Sequence, residues 1–120
     1  IGIGLDVVDV ERMRTVLSRR AAIKERLFTR SEQYYAEAST DSVQRFAARF
    51  AAKEAVMKAL GVGLGSVKFR DIEVVKLDSG KPTLELHGQA AVLADLAGIR
   101  KWHLSISHTA LVAEAIVVAE

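Results

Sequence analysis

The chain has 120 residues, half of them hydrophobic, with a formal net charge of +2 and no cysteine. This length favours one compact domain over residues 1–120, because two halves would each be too small to bury a useful core. The lack of cysteine excludes disulfides and cysteine-ligated metals. The sequence shows neither a signal peptide pattern nor an apolar run near ~18 residues, so we expect a soluble, cytoplasmic protein with no membrane contact.

The first predicted element is a short strand that runs into a helix. The stretch "IGIGLDVVDV" combines β-branched and glycine residues and turns polar at Asp9, which is typical of a strand followed by a helix start. Asp6 then lies near the end of the strand. A single aspartate in such a place is more often a helix cap or a turn former, and Asp9 competes for that role.

Helical patterns dominate the next part of the chain. Apolar residues recur at helical spacing over residues 10–28, which predicts one or two helices. "TRSE" at residues 29–32 is a capping-box signature, and "DSVQ" is a second start signal before a long helix. The glycine run "GVGLG" ends that helix, with Gly61 as the left-handed cap. Its spacing matches neither a dinucleotide fingerprint nor a P-loop.

The second half changes to strand patterns with one inserted helix. "FRDIEVVKL" and "TLELH" flank the turn "DSGKP", which predicts a hairpin over residues 71–87. "QAAVLADLAGI" predicts a helix, and "KWHLSISH" and "LVAEAIVVAE" predict two strands, the last of them central because it is almost continuously apolar. The expected fold is α+β: N-terminal helices, including one long helix, packed on a small antiparallel sheet.

The long helix carries a candidate site. At about 100° per residue, Glu54 and Lys58 lie one turn apart on the stripe that also holds Ala47 and Ala51. Taken alone, these two residues are explained better by a solvated ion pair on an exposed helix. If the first strand lies against this helix, Asp6 and Glu54 would present two carboxylates among basic side chains, an arrangement that suits Mg²⁺ shared with substrate phosphates.

Positive charge is concentrated in residues 10–30, where seven Arg and Lys residues accompany two Glu residues. This excess suggests an acidic partner, although a solvated pair of helices explains it equally well.

Nucleic acid is not expected, because the only tryptophan, Trp102, belongs to no aromatic and basic platform. Hydrolase chemistry is not expected either, because strand alternation places Ser107 and His108 on opposite faces.

Three stretches in order resemble one family, the holo-[acyl-carrier-protein] synthases, which are the small 4′-phosphopantetheinyl transferases. They are "GIGLDVVDVERM", "RFAARFAAKEAVMKALGVGLG" and "WHLSISHTALVAEAIVVAE", with "FRDIEV" and "GKP" between them. The resemblance spans essentially the whole chain. It implies that the phosphopantetheine arm of coenzyme A passes to a serine of an acyl carrier protein of fatty acid or polyketide synthesis, with release of adenosine 3′,5′-bisphosphate.

The resemblance also implies roles for individual residues. Asp6 and Glu54 would hold Mg²⁺, which engages the coenzyme A pyrophosphate, and Lys58 would add positive charge at the transferring phosphate. Either Glu54 or a metal-bound water would take the serine proton. A further set is implied to bind coenzyme A: Arg49, Lys53, Lys81, Pro82 and His108.

Partners are implied as well. Acyl carrier proteins are acidic, so the basic helices would dock one, with Arg12 as the docking arginine and Arg19, Arg20 and Arg26 as further candidates. Family members of this length assemble as homotrimers with sites between subunits. The alternative is a non-catalytic basic docking module for an acidic protein, which would tolerate the loss of Glu54.

Overall fold

The structure, a computed structural model, describes residues 1–120. Its helices are α1 (Val10–Arg19), α2 (Ala21–Leu27), α3 (Arg30–Glu37), α4 (Ser42–Leu60) and α5 (Gly88–Leu96). Its strands are β1 (Gly2–Asp9), β2 (Ile72–Lys76), β3 (Pro82–Leu86), β4 (Trp102–His108) and β5 (Val112–Ala119), and a short 3₁₀ turn at Phe69–Asp71 leads into β2. None of the helices combines the length and the apolar character needed to cross a membrane.

The strands form two antiparallel sheets. β1, β5 and β4 make a three-stranded sheet with β5 in the centre, as the apolar sequence of the last strand predicts, and β2 pairs with β3 as the predicted hairpin. Gly80 allows the hairpin turn because its φ is 90°, a value that favours glycine. The predicted α+β fold is confirmed, with the difference that the strands are divided between two sheets.

Local signals place most helix ends correctly. The Thr29 side chain accepts a hydrogen bond from the Glu32 backbone N–H, and the Glu32 carboxylate accepts one from the Thr29 N–H, so the predicted capping box is confirmed. Asp9 caps α1, and Gly61 ends α4 with a φ of 73°. Asp41 precedes α4 as predicted, but its side chain makes no capping hydrogen bond.

The long helix α4 lies at the centre of the packing. Its alanines and apolar side chains contribute to both buried clusters, one toward β5 and β2 and the other toward α1 and α3. β1 crosses α4 very closely: a Cβ added at Gly2 would lie 2.3 Å from the Ala59 carbonyl oxygen, and one added at Gly4 would lie 1.8 Å from the Ala55 carbonyl oxygen. Because side chains alternate along a strand, the next residue on this face is Asp6.

Candidate active site

The first strand does lie against the long helix, and Asp6 forms an ion pair with Lys58 of that helix. Lys58 donates from Nζ to Asp6 Oδ1 at 3.1 Å and to the Leu5 carbonyl oxygen at 2.9 Å. Glu54 lies one turn before Lys58 on the same stripe of α4. The condition that sequence reasoning set for a shared site at Asp6 and Glu54 is therefore met.

The charges at this place are incompletely neutralised. Burial raises the pKa of Glu54 above its usual value, the negative charge of Asp6 raises the pKa further, and Lys58 opposes the shift. Two carboxylates that repel each other while only one ammonium group faces them favour a bound cation. Their hard oxygens from two separate elements fit Mg²⁺, which needs one or two carboxylates and keeps water and phosphate as its other ligands.

An apolar groove of about 630 Å³ begins at these two carboxylates. Phe50 and Phe69 stack in it with ring centroids 5.3 Å apart. Its other apolar walls come from β1, α1, α2 and the glycine-rich loop: Val7, Val8, Met13, Val16, Ile23, Leu27 and Leu64. Arg12 and Arg26 line it too, whereas Arg19 and Arg20 are exposed and do not line it.

A second cavity, here called the cationic cavity, has a volume of about 300 Å³. It shares no lining residue with the apolar groove. The residues that matter for its chemistry are Tyr35, Arg45, Arg49, Lys76, Pro82 and His108. Three of the residues that the resemblance assigns to coenzyme A therefore meet here, namely Arg49, Pro82 and His108. Lys81 lies in the adjacent turn with an exposed side chain and does not line the cavity.

Arg49 is buried in this cavity without a full set of partners. Only 6% of the residue is exposed, and its Nε has no hydrogen-bond partner. Burial lowers the pKa of Arg49 from its usual value; Tyr35 and Glu32 oppose this shift and Arg45 adds to it. A buried guanidinium with an unpaired N–H is costly unless an acceptor reaches it. The charge and the unpaired N–H of Arg49 therefore favour a bound anion in this cavity.

His108 faces the cationic cavity from the end of β4. Its Nδ1 lies 3.1 Å from Gln44 Oε1 on α4. An amide oxygen only accepts, so this contact requires Nδ1 to donate, which leaves Nε2 for another partner. Ser107 lies on the other face of the strand, so no serine–histidine pair forms.

The prediction that Lys53 binds a coenzyme A phosphate disagrees with the structure. Lys53 is fully buried, and its ammonium group donates to Glu32 Oε1 at 2.8 Å and to the carbonyl oxygens of Phe69 and Ile72. All three ammonium protons are used inside the protein. Arg49 and Lys53 are four residues apart and both are buried, but the sequence does not reveal that Glu32 and two backbone carbonyl groups saturate only the second of them.

Sequence reasoning missed several residues of these two sites. Tyr35 and Lys76 enter the cationic cavity from α3 and from the end of β2, and Phe69 enters the groove from the 3₁₀ turn. No local signal marks them, because each is brought in by packing between elements that are distant in sequence. Only Arg45 had a usable signal, since it lies one helical turn before Arg49.

Comparisons with known proteins identify the family of this chain. The family model described as "4'-phosphopantetheinyl transferase superfamily" matches residues 2–115. A holo-[acyl-carrier-protein] synthase of Streptomyces avermitilis is 44% identical over 120 residues, covering 100% of this chain and 97% of that protein.

Solved structures are similar along the whole length. The holo-[acyl-carrier-protein] synthase of Helicobacter pylori in complex with coenzyme A has a TM-score of 0.86 at 33% identity, covering 98% of this chain and 99% of that chain. A holo-(acyl-carrier-protein) synthase from Bacillus anthracis in complex with CoA (3',5'-ADP) has a TM-score of 0.81 at 37% identity, covering 99% of this chain and 95% of that chain.

Proposed function

The chain belongs to the 4′-phosphopantetheinyl transferase superfamily, and from that premise we propose that it is a holo-[acyl-carrier-protein] synthase. It transfers the 4′-phosphopantetheine group of coenzyme A to a serine of an apo acyl carrier protein. The observation that carries the proposal is that Asp6 pairs with Lys58 and that the carboxylates of Asp6 and Glu54 both line the apolar groove. This group supplies the carboxylates and the positive charge that phosphoryl transfer requires.

The reaction balances as a displacement at phosphorus. The serine hydroxyl oxygen forms a bond to the phosphorus that carries the pantetheine, and the bond from that phosphorus to the bridging oxygen of the pyrophosphate breaks. Adenosine 3′,5′-bisphosphate leaves with the electron pair. The serine proton passes to a base, for which Glu54 and a water molecule are the two candidates.

Asp6 and Glu54 would hold Mg²⁺, which when bound neutralises the charge of the pyrophosphate. Lys58 adds positive charge beside the phosphate that moves, since its ammonium group already lies 3.1 Å from Asp6 Oδ1. This division of labour resembles that of other phosphoryl transfers, in which the protein positions the groups and stabilises charge.

Coenzyme A would place its 3′-phosphate in the cationic cavity. The buried Arg49 with its unpaired Nε, the neighbouring Arg45 and Lys76, and the free nitrogen of His108 are the groups that support this. Lys81 would act from the rim, on the turn that carries Pro82. Lys53 takes no part in binding, because its ammonium group is saturated inside the protein.

The acyl carrier protein would dock on α1 and α2. Arg12 and Arg26 stand at the apolar groove, so an acidic protein could make ion pairs at its edge while an apolar side chain enters it. Arg19 and Arg20 are exposed on the same part of the chain and extend the positive surface. Such a surface raises the association rate with an acidic partner and weakens with salt.

We also propose a homotrimer with sites between subunits. The outer face of the three-stranded sheet leaves Ile3, Leu5 and Val7 exposed beside Ile116 of β5, and a contiguous apolar surface of this kind marks an interface. The pair Asp6 and Glu54 and the cationic cavity lie at separate places on one chain. A cyclic assembly could bring the cavity of one subunit to the carboxylates of the next.

Intact mass measurement of an apo acyl carrier protein tests the function. Incubation with this protein, coenzyme A and Mg²⁺ should add one phosphopantetheine group, and EDTA should prevent the gain. Glu54→Gln should abolish the gain, whereas Glu85→Gln, which removes an exposed carboxylate of β3, should keep it. If folded wild-type protein modifies none of several carriers, the non-catalytic docking module becomes the better explanation.

A further inference from the structure

Three cations from two elements gather around the ring of Tyr35. The guanidinium carbons of Arg45 and Arg49 lie 4.2 Å and 4.0 Å from the ring centroid, and the ammonium nitrogen of Lys76 lies 5.5 Å from it. All three distances are within the range of a cation–π interaction. The backbone of Tyr35 takes part too, since its carbonyl oxygen accepts a hydrogen bond of 2.9 Å from Arg45.

These three cations lack an anionic partner. None of them forms a salt bridge in the structure, and the only carboxylate that lines the cationic cavity is that of Asp41. Like charges gathered around one ring repel each other. A ring whose face is electron-rich reduces the cost of holding them together, but it does not neutralise them.

We infer that Tyr35 is a positioning residue, whose ring holds Arg45, Arg49 and Lys76 together as a binding cluster for a phosphomonoester. The inference rests on the proposed function, in which the phosphomonoester is the 3′-phosphate of coenzyme A. A phosphomonoester carries a charge of about −1.5 to −2 at neutral pH and three acceptor oxygens. Three positive charges match the charge of a monoester better than they match the charge of one phosphate of the pyrophosphate. The proposed function places the pyrophosphate at Asp6, Glu54 and Lys58.

The ring contributes orientation as well as proximity. A guanidinium group that lies against an aromatic ring has fewer orientations open to it, so less conformational entropy is lost when a phosphate binds. Lys76 approaches the same ring from the end of β2, beside the hairpin turn. Without the ring, Lys76, which is exposed, would turn toward water, and the two guanidinium groups would lose the surface that orients them.

Two variants of Tyr35 and one neighbour separate the role of the ring from other effects. Tyr35→Leu removes the ring, Tyr35→Phe keeps it and removes only the hydroxyl, and Tyr34→Leu makes the same change at a side chain that is 82% exposed. Coenzyme A and 3′-dephospho-coenzyme A, which lacks the monoester, serve as the ligands. Calorimetry gives Kd without turnover, and carrier modification gives KM and kcat.

Tyr35→Leu should raise Kd and KM for coenzyme A about tenfold, while kcat changes little. Tyr35→Phe and Tyr34→Leu should stay close to wild type. With dephospho-coenzyme A, all four proteins should bind alike. An unchanged Kd for coenzyme A in a folded Tyr35→Leu protein would overturn the inference, and so would an equal loss of affinity for both ligands.

Lys76→Gln keeps the inference testable if Tyr35→Leu does not fold, because Lys76 is exposed. It should weaken coenzyme A binding and leave dephospho-coenzyme A binding unchanged, and equal effects on the two would contradict the cluster. A wild-type protein that binds coenzyme A but modifies no carrier would refute the proposed function alone. Wild-type protein with equal affinity for the two ligands would refute the cluster alone.

Discussion

At the scale of single residues, the ionised carboxylate of Glu54 destabilises the folded state. It is half-buried beside Asp6, and its pKa is raised first by burial and then by that neighbouring charge. A carboxyl whose pKa is higher in the folded than in the unfolded state destabilises the folded state above that pKa, because folding then favours the protonated form. Residues that bind or stabilise charge in catalysis commonly lower the stability of the folded protein in this way.

Glu54→Gln should therefore stabilise the metal-free protein at neutral pH. The gain should be below ~1 kcal/mol, because solvent screens a half-exposed charge. It should shrink as the pH falls through the raised pKa, and it should vanish below the ordinary value of 4.5, where the carboxyl is protonated in both states. Thermal melting in EDTA at several pH values measures this, with Glu85→Gln as the control.

Mg²⁺ should reverse the order of stability of wild type and Glu54→Gln. A cation that binds the folded state alone raises its melting temperature, so wild type should gain stability on addition of Mg²⁺ and Glu54→Gln should gain less. Equal responses of both proteins would argue against Glu54 as a ligand.

Lys53 has a structural role, as half of a buried ion pair. It forms a fully buried ion pair with Glu32, whose other carboxylate oxygen accepts from the Val74 backbone N–H at 2.9 Å. The pair thereby connects α4, the start of α3 and β2. Burial lowers the pKa of Lys53, and Glu32 opposes that shift.

Lys53→Met should destabilise the protein by ~3–5 kcal/mol, because it leaves Glu32 charged and unpaired in the interior. Lys68→Met, at an exposed lysine, should change stability by less than ~0.5 kcal/mol. Urea denaturation measures both. Adding Glu32→Gln to Lys53→Met should recover part of the loss, and a loss that stays undiminished in the double variant would contradict this account.

At the scale of elements, the contact between β1 and α4 decides where Asp6 lies. Gly2 and Gly4 face the helix backbone, and their lack of a side chain allows the strand to approach the helix carbonyl groups directly. Any larger residue there would push the strand outward. The two glycines therefore set the separation between Asp6 on the strand and Glu54 and Lys58 on the helix.

Gly4→Ala should lower both stability and transfer activity. Its Cβ would overlap the Ala55 carbonyl oxygen, and overpacking of this kind costs ~1–3 kcal/mol. Gly63→Ala is the matched control, since a Cβ at Gly63 has no atom within 4 Å and its φ is not in the left-handed region. Denaturation and the carrier mass assay measure the two effects, and a Gly4→Ala protein that matches the control in both would show that close approach is not needed.

At the scale of the whole molecule, the three-stranded sheet has one buried and one open face. The inward residues of β5 pack on α4, whereas Ile3 and Leu5 of β1 are 65% and 55% exposed on the outer face. A single chain gains nothing from these side chains in water. The proposed trimer would cover them.

Ile3→Lys should dissociate that trimer. Light scattering should give three times the chain mass for wild type and the mass of one chain for the variant, because a lysine ammonium at an apolar interface is poorly solvated. Transfer activity should fall with dissociation if the sites lie between subunits. Leu96→Lys, a change at a 79% exposed residue of α5, should affect neither, and a monomeric wild type would refute the assembly.

Local sequence determined much of the fold of this protein. Capping at Thr29 and Glu32, helix termination at Gly61, the hairpin and the central place of β5 follow from residue preferences and periodicity, which act over a few neighbouring residues. The resemblance of three motifs identified the family. The sequence predicts a shared site at Asp6 and Glu54 only if the first strand lies against the long helix.

Tertiary structure alone decided which charges are free to act. Arg49 and Lys53 lie one helical turn apart with the same kind of side chain, yet Glu32 and two carbonyl groups saturate Lys53, while Arg49 keeps an unpaired N–H in a cavity. Tyr35 and Lys76 join Arg49 from elsewhere in the chain. The reason is physical: burial and pairing are properties of the surroundings that distant segments supply, and one segment's pattern does not contain them.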